Sequence, residues 1–300
     1  MQINRRRLNI NNIRIGIVGN GYVGKATSFL KHDKYGEQAK NVEVLIYDKD
    51  PSKCSPSGTE FSHLNTCVLI FVCVPTPMNS DGSCDTSLVA GVIDKLKKEV
   101  NDVPIFVRST VPVGFCDSHG VNFMPEFLTE KNWEHDVINS KDWVIGLFDN
   151  ENTDTREKIR GFLALAHKNK LLKNSPSIHF TSNKSAELTK YARNCFLAAK
   201  VSFFNSLEKF CVEKGVPYDA ARELICLDKR VGDSHTKVPG PDGKRGFGGT
   251  CFPKDLNSLI YQMLDVGVAP MILSAANNQN NIVDRPEKDW ENSKGRAVSY

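Results

Sequence analysis

A glycine-rich turn that directly follows a short apolar run constrains the fold more than any other feature of this sequence. The β-branched run at residues 13–18 leads straight into Gly19-Asn20-Gly21-Tyr22-Val23-Gly24, and a helical stretch at residues 25–32 comes next. In this context the first glycine makes the tight turn, the second admits a pyrophosphate, and the third lets the helix pack closely on the strand. The pattern predicts a dinucleotide-binding βαβ unit whose cofactor contacts include Gly19, Gly21, Tyr22, Val23 and Gly24.

An acidic residue at the end of the second apolar run predicts which dinucleotide binds. Residues 42–47 form this run, and Asp48 follows it. A carboxylate in this position accepts hydrogen bonds from the ribose hydroxyls and repels a 2′-phosphate, so Asp48 predicts NAD rather than NADP. Lys53 either contacts the adenosine side of the cofactor or is a solvated loop lysine.

Further apolar runs predict three more strands, at residues 67–74, 104–108 and 143–148, with a helix at about residues 87–100. Runs of this kind, buried on both faces, are typical of a parallel sheet. We therefore expect residues 1–181 to form an α/β domain with a Rossmann-type, doubly wound parallel sheet.

Two of these strands end in proline-containing motifs, VPTP at residues 74–77 and STVPVG at residues 109–114. Ligands of open α/β sheets bind at the carboxyl ends of the strands. Thr76 and Thr110 are therefore candidate cofactor contacts, although two ordinary loops would explain the motifs equally well.

The second half of the chain has a helical pattern. From residue 185 an amphipathic helix is predicted to run to about Lys214, and shorter helices are expected at residues 219–227 and 256–264. We expect residues 182–280 to form an all-α central domain. The polar residues 281–300 should be a short tail that at most caps a surface.

Lys190 and Asn194 lie four residues apart on the long predicted helix and therefore share one of its faces. A solvated surface pair is the simplest interpretation of two such polar residues. A cleft lined by polar side chains is the alternative.

The segment GFGGTCFPKD at residues 246–255 has the composition of a nucleophile site. Three glycines precede Cys251, and Lys254 and Asp255 follow it within one helical turn. Nearby cations and helix amides favour a reactive thiolate. A glycine-rich turn with an inert, buried cysteine is the alternative.

Composition excludes several classes of protein. No apolar run approaches the roughly 18–20 residues that span a bilayer, and a net charge of +4 is too small and dispersed to indicate nucleic-acid binding, although it suits a small anionic substrate. The nine cysteines include no CxxC pair and no spacing typical of a zinc site. We expect reduced thiols, no metal and a cytoplasmic location.

Taken together, six motifs resemble the UDP-glucose/GDP-mannose dehydrogenase family from about residue 13 to about residue 280. They are GNGYVG (19–24), VPTP (74–77), STVPVG (109–114), MPEFLTE (124–130), ELTKYARNCFLAAKVSFFN (187–205) and GFGGTCFPKD (246–255). The resemblance implies oxidation of a nucleotide sugar at its C6 alcohol, using NAD, in the cytoplasmic supply of polysaccharide precursors. UDP-glucose is the expected substrate, UDP-N-acetylmannosamine and GDP-mannose are its rivals, and a non-catalytic NAD-binding or dimerising module is the alternative of another class.

The resemblance also implies a role for individual residues and a homodimer built on the long helix. Its catalytic set is the thiol Cys251, the oxyanion donors Lys190 and Asn194, the water-positioning Asp255 and Thr110, and Glu126 and Glu130 at the sugar and its hydrolytic water. Its implied substrate contacts are Phe127, Leu128, Phe247, Gly248, Lys254 and Arg230, the last of which family dimers present to the partner's active site.

The chain departs from the family pattern in two places. Only ten residues separate Gly114 from Pro125, where relatives carry a helix and a strand, so we expect one sheet element to be missing. The sequence ends 45 residues after Asp255, and we expect it to lack the C-terminal domain that holds much of the UDP group in relatives.

Overall fold

The structure, a computed structural model, describes residues 13–28, 42–149 and 152–299. The chain divides into two compact units, one of residues up to 75 together with 86–190, the other of residues 76–85 together with 191 onwards. Independent domains limited by residues 181 and 280 stay a prediction.

The first unit contains a seven-stranded sheet in the order β2-β1-β3-β4-β5-β6-β7. Neighbouring strands are parallel, except that β5 and β6 are antiparallel. The predicted Rossmann-type sheet is confirmed. The strands are β1 (Ile13–Val18), β2 (Val42–Tyr47), β3 (Leu69–Val72), β4 (Ile105–Val107), β5 (Asn122–Phe123), β6 (Asp142–Leu147) and β7 (Ser177–Ser182).

Helices cover both faces of this sheet. Ile159 and Phe162 of α5 belong to an apolar cluster with Phe71, whereas Val89 and Ile93 of α2 belong to a second cluster. Burial of both faces explains why the strands read as continuous apolar runs. The helices of this unit are α1 (Tyr22–Ser28), α2 (Ser87–Glu99), α3 (Phe115–Ser118), α4 (Trp133–Asn139) and α5 (Thr153–Lys168).

The expectation of a missing sheet element is wrong. The ten residues after Gly114 contain both α3 and β5, each reduced to its minimum of four and two residues. Gly114 has a φ of 95° and begins the helix, and β5 pairs with β4 and β6 on either side. The crossover is therefore shortened rather than deleted. For α1, residues 29–32 of the predicted range lie outside the described residues.

The long predicted helix is α6 (Asn183–Lys214), whose residues up to Lys190 belong to the first unit and the rest to the second. The second unit continues with α7 (Tyr218–Cys226), α8 (Phe252–Asp265) and α9 (Met271–Asn278), followed by a π-helical turn at Gln279–Asp284. The predicted helical character of this part is confirmed. None of the helices in the described ranges combines the length and apolar character that crossing a bilayer requires.

The polar tail does more than cap a surface. Trp290, Ala297 and Val298 are buried and form an apolar cluster with Met78. Backbone hydrogen bonds of 2.9 Å from Met78 N to Ala297 O and from Ser299 N to Met78 O join the same two segments. Trp290, Ala297 and Val298 are therefore part of the interior of the second unit.

Candidate functional site

The glycine turn of the first unit has the geometry that a dinucleotide requires. Gly19 has a φ of 96°, and a Cβ there would lie 2.9 Å from Cys73 O; a Cβ at Gly24 would collide with Gly19 O. At Gly21, by contrast, a Cβ would meet nothing within 4 Å. The first and third glycines are thus required by packing, and the open second position leaves room for a phosphate to approach the backbone. Tyr22 and Val23 open α1 directly after this turn.

Asp48 is oriented by the same turn. Its Oδ2 accepts a 2.8 Å hydrogen bond from Asn20 N, and its Oδ1 accepts one of 3.0 Å from Asp50 N. Asn20 also donates its side-chain amide to Lys53 O at 2.7 Å. The carboxylate therefore lies beside the phosphate-binding turn, where a ribose contact requires it. The Lys53 ammonium is exposed and pairs with Asp50 at 3.4 Å, so its adenosine contact stays a prediction.

A buried ion pair joins α6 to the segment after β5. Lys190 Nζ donates to Glu126 Oε1 at 2.8 Å and to Glu126 O at 2.7 Å, and the two side chains are only 3% and 4% exposed. Glu126 also accepts from Leu128 N at 2.8 Å and from the Tyr22 hydroxyl at 3.3 Å. The surface interpretation of Lys190 is therefore wrong.

The charge state of this pair follows from its surroundings. Burial raises the pKa of Glu126, but the Lys190 ammonium, the Leu128 N–H and the Arg108 charge together outweigh burial, and the pKa of this carboxyl falls below its ordinary value. Glu126 is thus a carboxylate at neutral pH. Phe127 lies half-buried with its ring centroid 5.8 Å from Lys190 Nζ.

Arg108 is a candidate residue that the sequence analysis missed. It follows β4, is 5% exposed, and has no hydrogen-bond acceptor for its Nε. Burial lowers its pKa, and Cys73, Glu126 and Tyr22 act in the opposite direction. A guanidinium stays charged in proteins, so Arg108 is a second cation acting on Glu126. The sequence did offer a signal for Arg108, because this charged residue directly follows the apolar run IFV.

Two other predicted residues of the first unit differ in exposure. Thr110 is buried at 8% exposure. Glu130 is exposed, and its catalytic role stays a prediction.

In the second unit, Cys251 immediately precedes α8, with Pro253 in the first turn of that helix. The Thr250 hydroxyl oxygen lies 3.9 Å from the Cys251 sulfur. Partial exposure distinguishes Cys251 from most thiols of the chain. The helix begins at Phe252, four residues before its predicted start, so the thiol lies at the beginning of a helix.

The side chains that follow Cys251 form a second buried ion pair. Lys254 Nζ lies 2.5 Å from Asp255 Oδ1, and Asn194 Nδ2 donates to Asp255 Oδ2 at 2.6 Å. Burial lowers the pKa of Lys254, but the Asp255 carboxylate and the sulfurs of Cys251 and Cys84 raise it more, so the net shift is upward. Lys254 stays an ammonium, and Asn194 is buried rather than part of a surface pair.

Thr76 lies in the second unit, not in the unit that carries the glycine turn. It is 4% exposed and lines a small cleft. Its cofactor contact stays a prediction. The cleft is lined by Thr76, Pro77, Met78, Cys84, Tyr191, Lys254, Asp255 and Ser258.

Burial separates five of the other eight thiols from Cys251. Burial raises the pKa of Cys67 to about 12 and of Cys73 to about 11, and it also raises the pKa values of Cys116 and Cys195. Thiols in such surroundings are poor nucleophiles. All nine cysteines lie in the described ranges, and none forms a disulfide.

The remaining predicted residues have different surroundings. Phe247 is buried, and Gly248 packs against Arg285. Arg230 is 90% exposed and pairs with Asp228 at 2.6 Å, so its contact with a partner subunit stays a prediction. Within the described ranges, no cluster of three or more His, Cys, Asp or Glu side chains is arranged to hold a metal ion.

Comparison with protein families identifies both halves of the chain. The NAD binding domain of the UDP-glucose/GDP-mannose dehydrogenase family matches residues 57–161, and the central domain of the same family matches residues 184–282. The cofactor predicted from the glycine turn and Asp48, NAD, is thereby confirmed.

Individual relatives agree with these matches. A UDP-glucose 6-dehydrogenase of Rickettsia bellii is 32% identical over 286 residues, which are 83% of this chain and 63% of the relative. A putative UDP-glucose 6-dehydrogenase of Bacillus subtilis is 30% identical over 304 residues, 90% of this chain and 68% of the relative. A solved structure of a UDP-glucose dehydrogenase from Pyrobaculum islandicum superposes with a TM-score of 0.72 at 25% identity, and the match covers 91% of this chain and 69% of the other.

This chain spans about 63% of the length of the Rickettsia relative. The ranges matched by the two domain models include both buried ion pairs and Cys251. With these residues in place and both domain models matched in order, the chain belongs to the UDP-glucose/GDP-mannose dehydrogenase family.

Proposed function

We propose that this chain is an NAD-dependent nucleotide-sugar dehydrogenase that oxidises a C6 alcohol to the carboxylate, with UDP-glucose to UDP-glucuronate as the reaction to test first. Family membership and the names of the Rickettsia and Pyrobaculum relatives support this reaction. The observation that carries the proposal is the position of Cys251 directly before α8, with the Lys254–Asp255 ion pair in the first turn of that helix.

The first unit supplies charge stabilisation in this proposal. Lys190 stabilises the negative charge that develops on the C6 oxygen, and Asn194, which lies on the same helix but in the second unit, is the other proposed donor. Its ammonium is fixed by two hydrogen bonds to Glu126, and a donor held in place in advance needs no reorganisation during the reaction. Arg108 adds a second positive charge behind Glu126.

The second unit supplies the nucleophile. When bound, NAD accepts the hydride that leaves C6 in each of the two oxidations. The Cys251 sulfur adds to the aldehyde carbon and forms a thiohemiacetal, which loses a hydride to become a thioester. Water activated by Glu126 or Glu130 then attacks the carbonyl carbon, the C–S bond breaks, and the carboxylate and the thiolate are released. Asp255 and Thr110 position this water.

A homodimer built on α6 is part of the proposal. Phe196, Phe203 and Phe210 are spaced seven residues apart on this helix and are 67%, 61% and 58% exposed. Three large apolar side chains along one helix face are typical of an interface. Light scattering should give the mass of a dimer, and Phe203→Glu should shift the population toward monomer.

The experiment that tests the function is an assay of NADH release with the purified chain against UDP-glucose, UDP-N-acetylmannosamine and GDP-mannose. We expect UDP-glucose to give two NADH for each uronate formed, and NADP to replace NAD poorly because of Asp48. Turnover of a different sugar would correct the substrate. NAD binding without turnover of any sugar would favour a non-catalytic module.

A further inference from the structure

The loop that leads to Cys251 is fixed by residues far along the chain. Gly246 and Gly249 have positive φ values of 65° and 73°, so the chain turns sharply at residues 246–249. Three of these four residues are glycines and have no side chain that could pack. Glycine-rich backbone loses much conformational entropy when it becomes ordered. Contacts from outside the loop must therefore hold it in one conformation.

Asn280 provides the first of these contacts. Its side chain is fully buried, its Oδ1 accepts from Phe247 N at 2.7 Å, and its Nδ2 donates to Phe247 O at 3.0 Å. A carboxamide offers a donor and an acceptor side by side, which matches the two backbone groups of Phe247. A Cβ at Gly246 would collide with Asn280 Oδ1, so the glycine is needed for the close approach.

Arg285 provides the second contact. Its guanidinium lies directly behind Gly248, where a Cβ would come within 2.6 Å of Arg285 Cζ. Two 2.8 Å hydrogen bonds to Asp289 fix the guanidinium, and Asp242 lies 2.7 Å from Nη1. Arg285 is only 3% exposed. Because two carboxylates hold this planar group in place, it forms a rigid surface against which the loop packs.

These contacts act on the residues immediately before the thiol. Phe247 and Gly248 stand four and three residues before Cys251, and Phe247 itself packs in the apolar cluster with Cys195 and Leu256 of α8. A displacement of about 1 Å at a reacting group costs up to about a hundredfold in rate. Fixing Phe247 and Gly248 therefore fixes the point from which the chain enters α8.

We infer that Asn280 and Arg285 are positioning residues that hold the Gly246–Gly249 loop, and through it Cys251, in the geometry for thiol attack. This inference rests on the proposed function, in which Cys251 is the nucleophile. The two residues do not contact the thiol and act through the loop backbone. The polar segment after α9 thereby has a role in the reaction itself.

The test compares the full-length chain with Asn280→Asp, Arg285→Met and Arg285→Lys. Asn280→Asp keeps the acceptor for Phe247 N–H but places a carboxylate against Phe247 O, and Arg285→Lys keeps the charge without the planar fork. Asn278→Leu is the matched control, because Asn278 is an exposed residue at the end of α9, two positions before Asn280.

Two readouts are measured on each variant. Hydrogen exchange of peptides covering residues 246–252 should become at least about tenfold faster in Asn280→Asp and Arg285→Met, since a buried hydrogen bond or ion pair is lost. The kcat for acid formation should fall by about 10- to 100-fold, whereas the NAD affinity should change little. Arg285→Lys should fall between Arg285→Met and the wild type.

The outcomes separate the inference from the function on which it rests. Wild-type exchange in both strong variants would overturn the inference, and so would faster exchange with an unchanged kcat. Failure of the wild type to oxidise any sugar would remove the proposed function, while the exchange data would still show whether Asn280 and Arg285 hold the loop. Should Asn280→Asp not fold, Arg285→Lys supplies the same two readouts.

Discussion

Each unit of this chain buries a lysine–carboxylate pair, and the two pairs differ in what surrounds them. In the first unit, Lys190 and Glu126 are 2.8 Å apart, and Arg108 adds a second cation. In the second unit, Lys254 and Asp255 are 2.5 Å apart, and the further partner of the carboxylate is the neutral amide of Asn194. The first group carries a net positive charge, whereas the charges of the second balance.

This difference matches two kinds of chemistry. A surplus of positive charge in a buried place stabilises an oxygen that becomes negative. Where the lysine and carboxylate charges balance beside a thiol, the sulfur is the group whose charge changes during the reaction. The ammonium of Lys254 is close enough to Cys251 and Cys84 for their charges to affect it. The comparison predicts that oxyanion stabilisation belongs to the first pair and thiol chemistry to the second.

The largest effect should come from Cys251→Ser. A serine hydroxyl is a far poorer nucleophile at neutral pH, so acid formation should fall by about 10³-fold or more. Cys84→Ser is the matched control, since this sulfur acts on the same Lys254, and it should keep most of the turnover. The measurement is uronate formed per unit time, and equal losses in both variants would contradict a special role for Cys251.

The next effect should come from Lys190→Ala. Removing an oxyanion donor lowers kcat by about 10²–10³-fold, and NAD affinity measured by calorimetry should hardly change. Arg108→Met should lower kcat less, since its charge acts through Glu126. A Lys190→Ala variant with normal turnover and lost stability would make this pair purely structural and remove the distinction between the two units.

The sequence predicted the parts of this comparison that depend on local patterns. The glycine turn, Asp48 and the cysteine before α8 are encoded within a few neighbouring residues, because strand, turn and helix follow one another directly. The same holds for the long helix that carries Lys190 and Asn194. The sequence of α5 has an equally clear helical period, with Ile159 and Phe162 on its buried face.

The parts that the sequence did not predict depend on distant contacts. Strand β7 alternates polar and apolar residues over only six positions, none of them buried, so its strand signal is weak. Strand β5 has two residues, too few to show any period. Asn280 contacts a residue 33 positions away, and its neighbours are polar, which is why the tail was expected at most to cap a surface. The ion pair between Lys190 and Glu126 joins residues 64 positions apart.

A comparison of stability sharpens the difference in charge balance. Breaking a buried ion pair by removing one partner costs about 3–5 kcal/mol, and Lys254→Met should show this full loss because Asp255 keeps no cation. Lys190→Met should cost less, since Arg108 still acts on Glu126.

Lys158→Met is the control. Lys158 and Asp154 are 2.7 Å apart, but the carboxylate is 55% exposed, so the loss of this pair should cost about 1 kcal/mol or less. Urea unfolding measures all three, and equal losses for Lys254 and Lys190 would contradict the role of Arg108.

The smallest effect should appear in the pH dependence of the unfolding free energy, where the two pairs act at opposite ends of the scale. The pKa of Glu126 is lowered by folding, so its contribution is present above its ordinary value of 4.5 and is lost as the pH falls through the folded value. The pKa of Lys254 is raised, so its contribution is present below its ordinary value of 10.5 and is lost as the pH rises through the folded value. Each group changes the unfolding free energy by at most about 1.4 kcal/mol per pH unit.

Glu126→Gln should therefore flatten the acid side of the profile, and Lys254→Met should flatten the alkaline side. Urea unfolding from pH 3 to pH 5 and from pH 10 to pH 11.5 samples the beginning of each loss at about half-unit steps. If Glu126→Gln left the acid side unchanged, the carboxylate would not be the ionised partner of Lys190. The first unit would then lack the fixed negative charge that orients its ammonium toward the substrate oxygen.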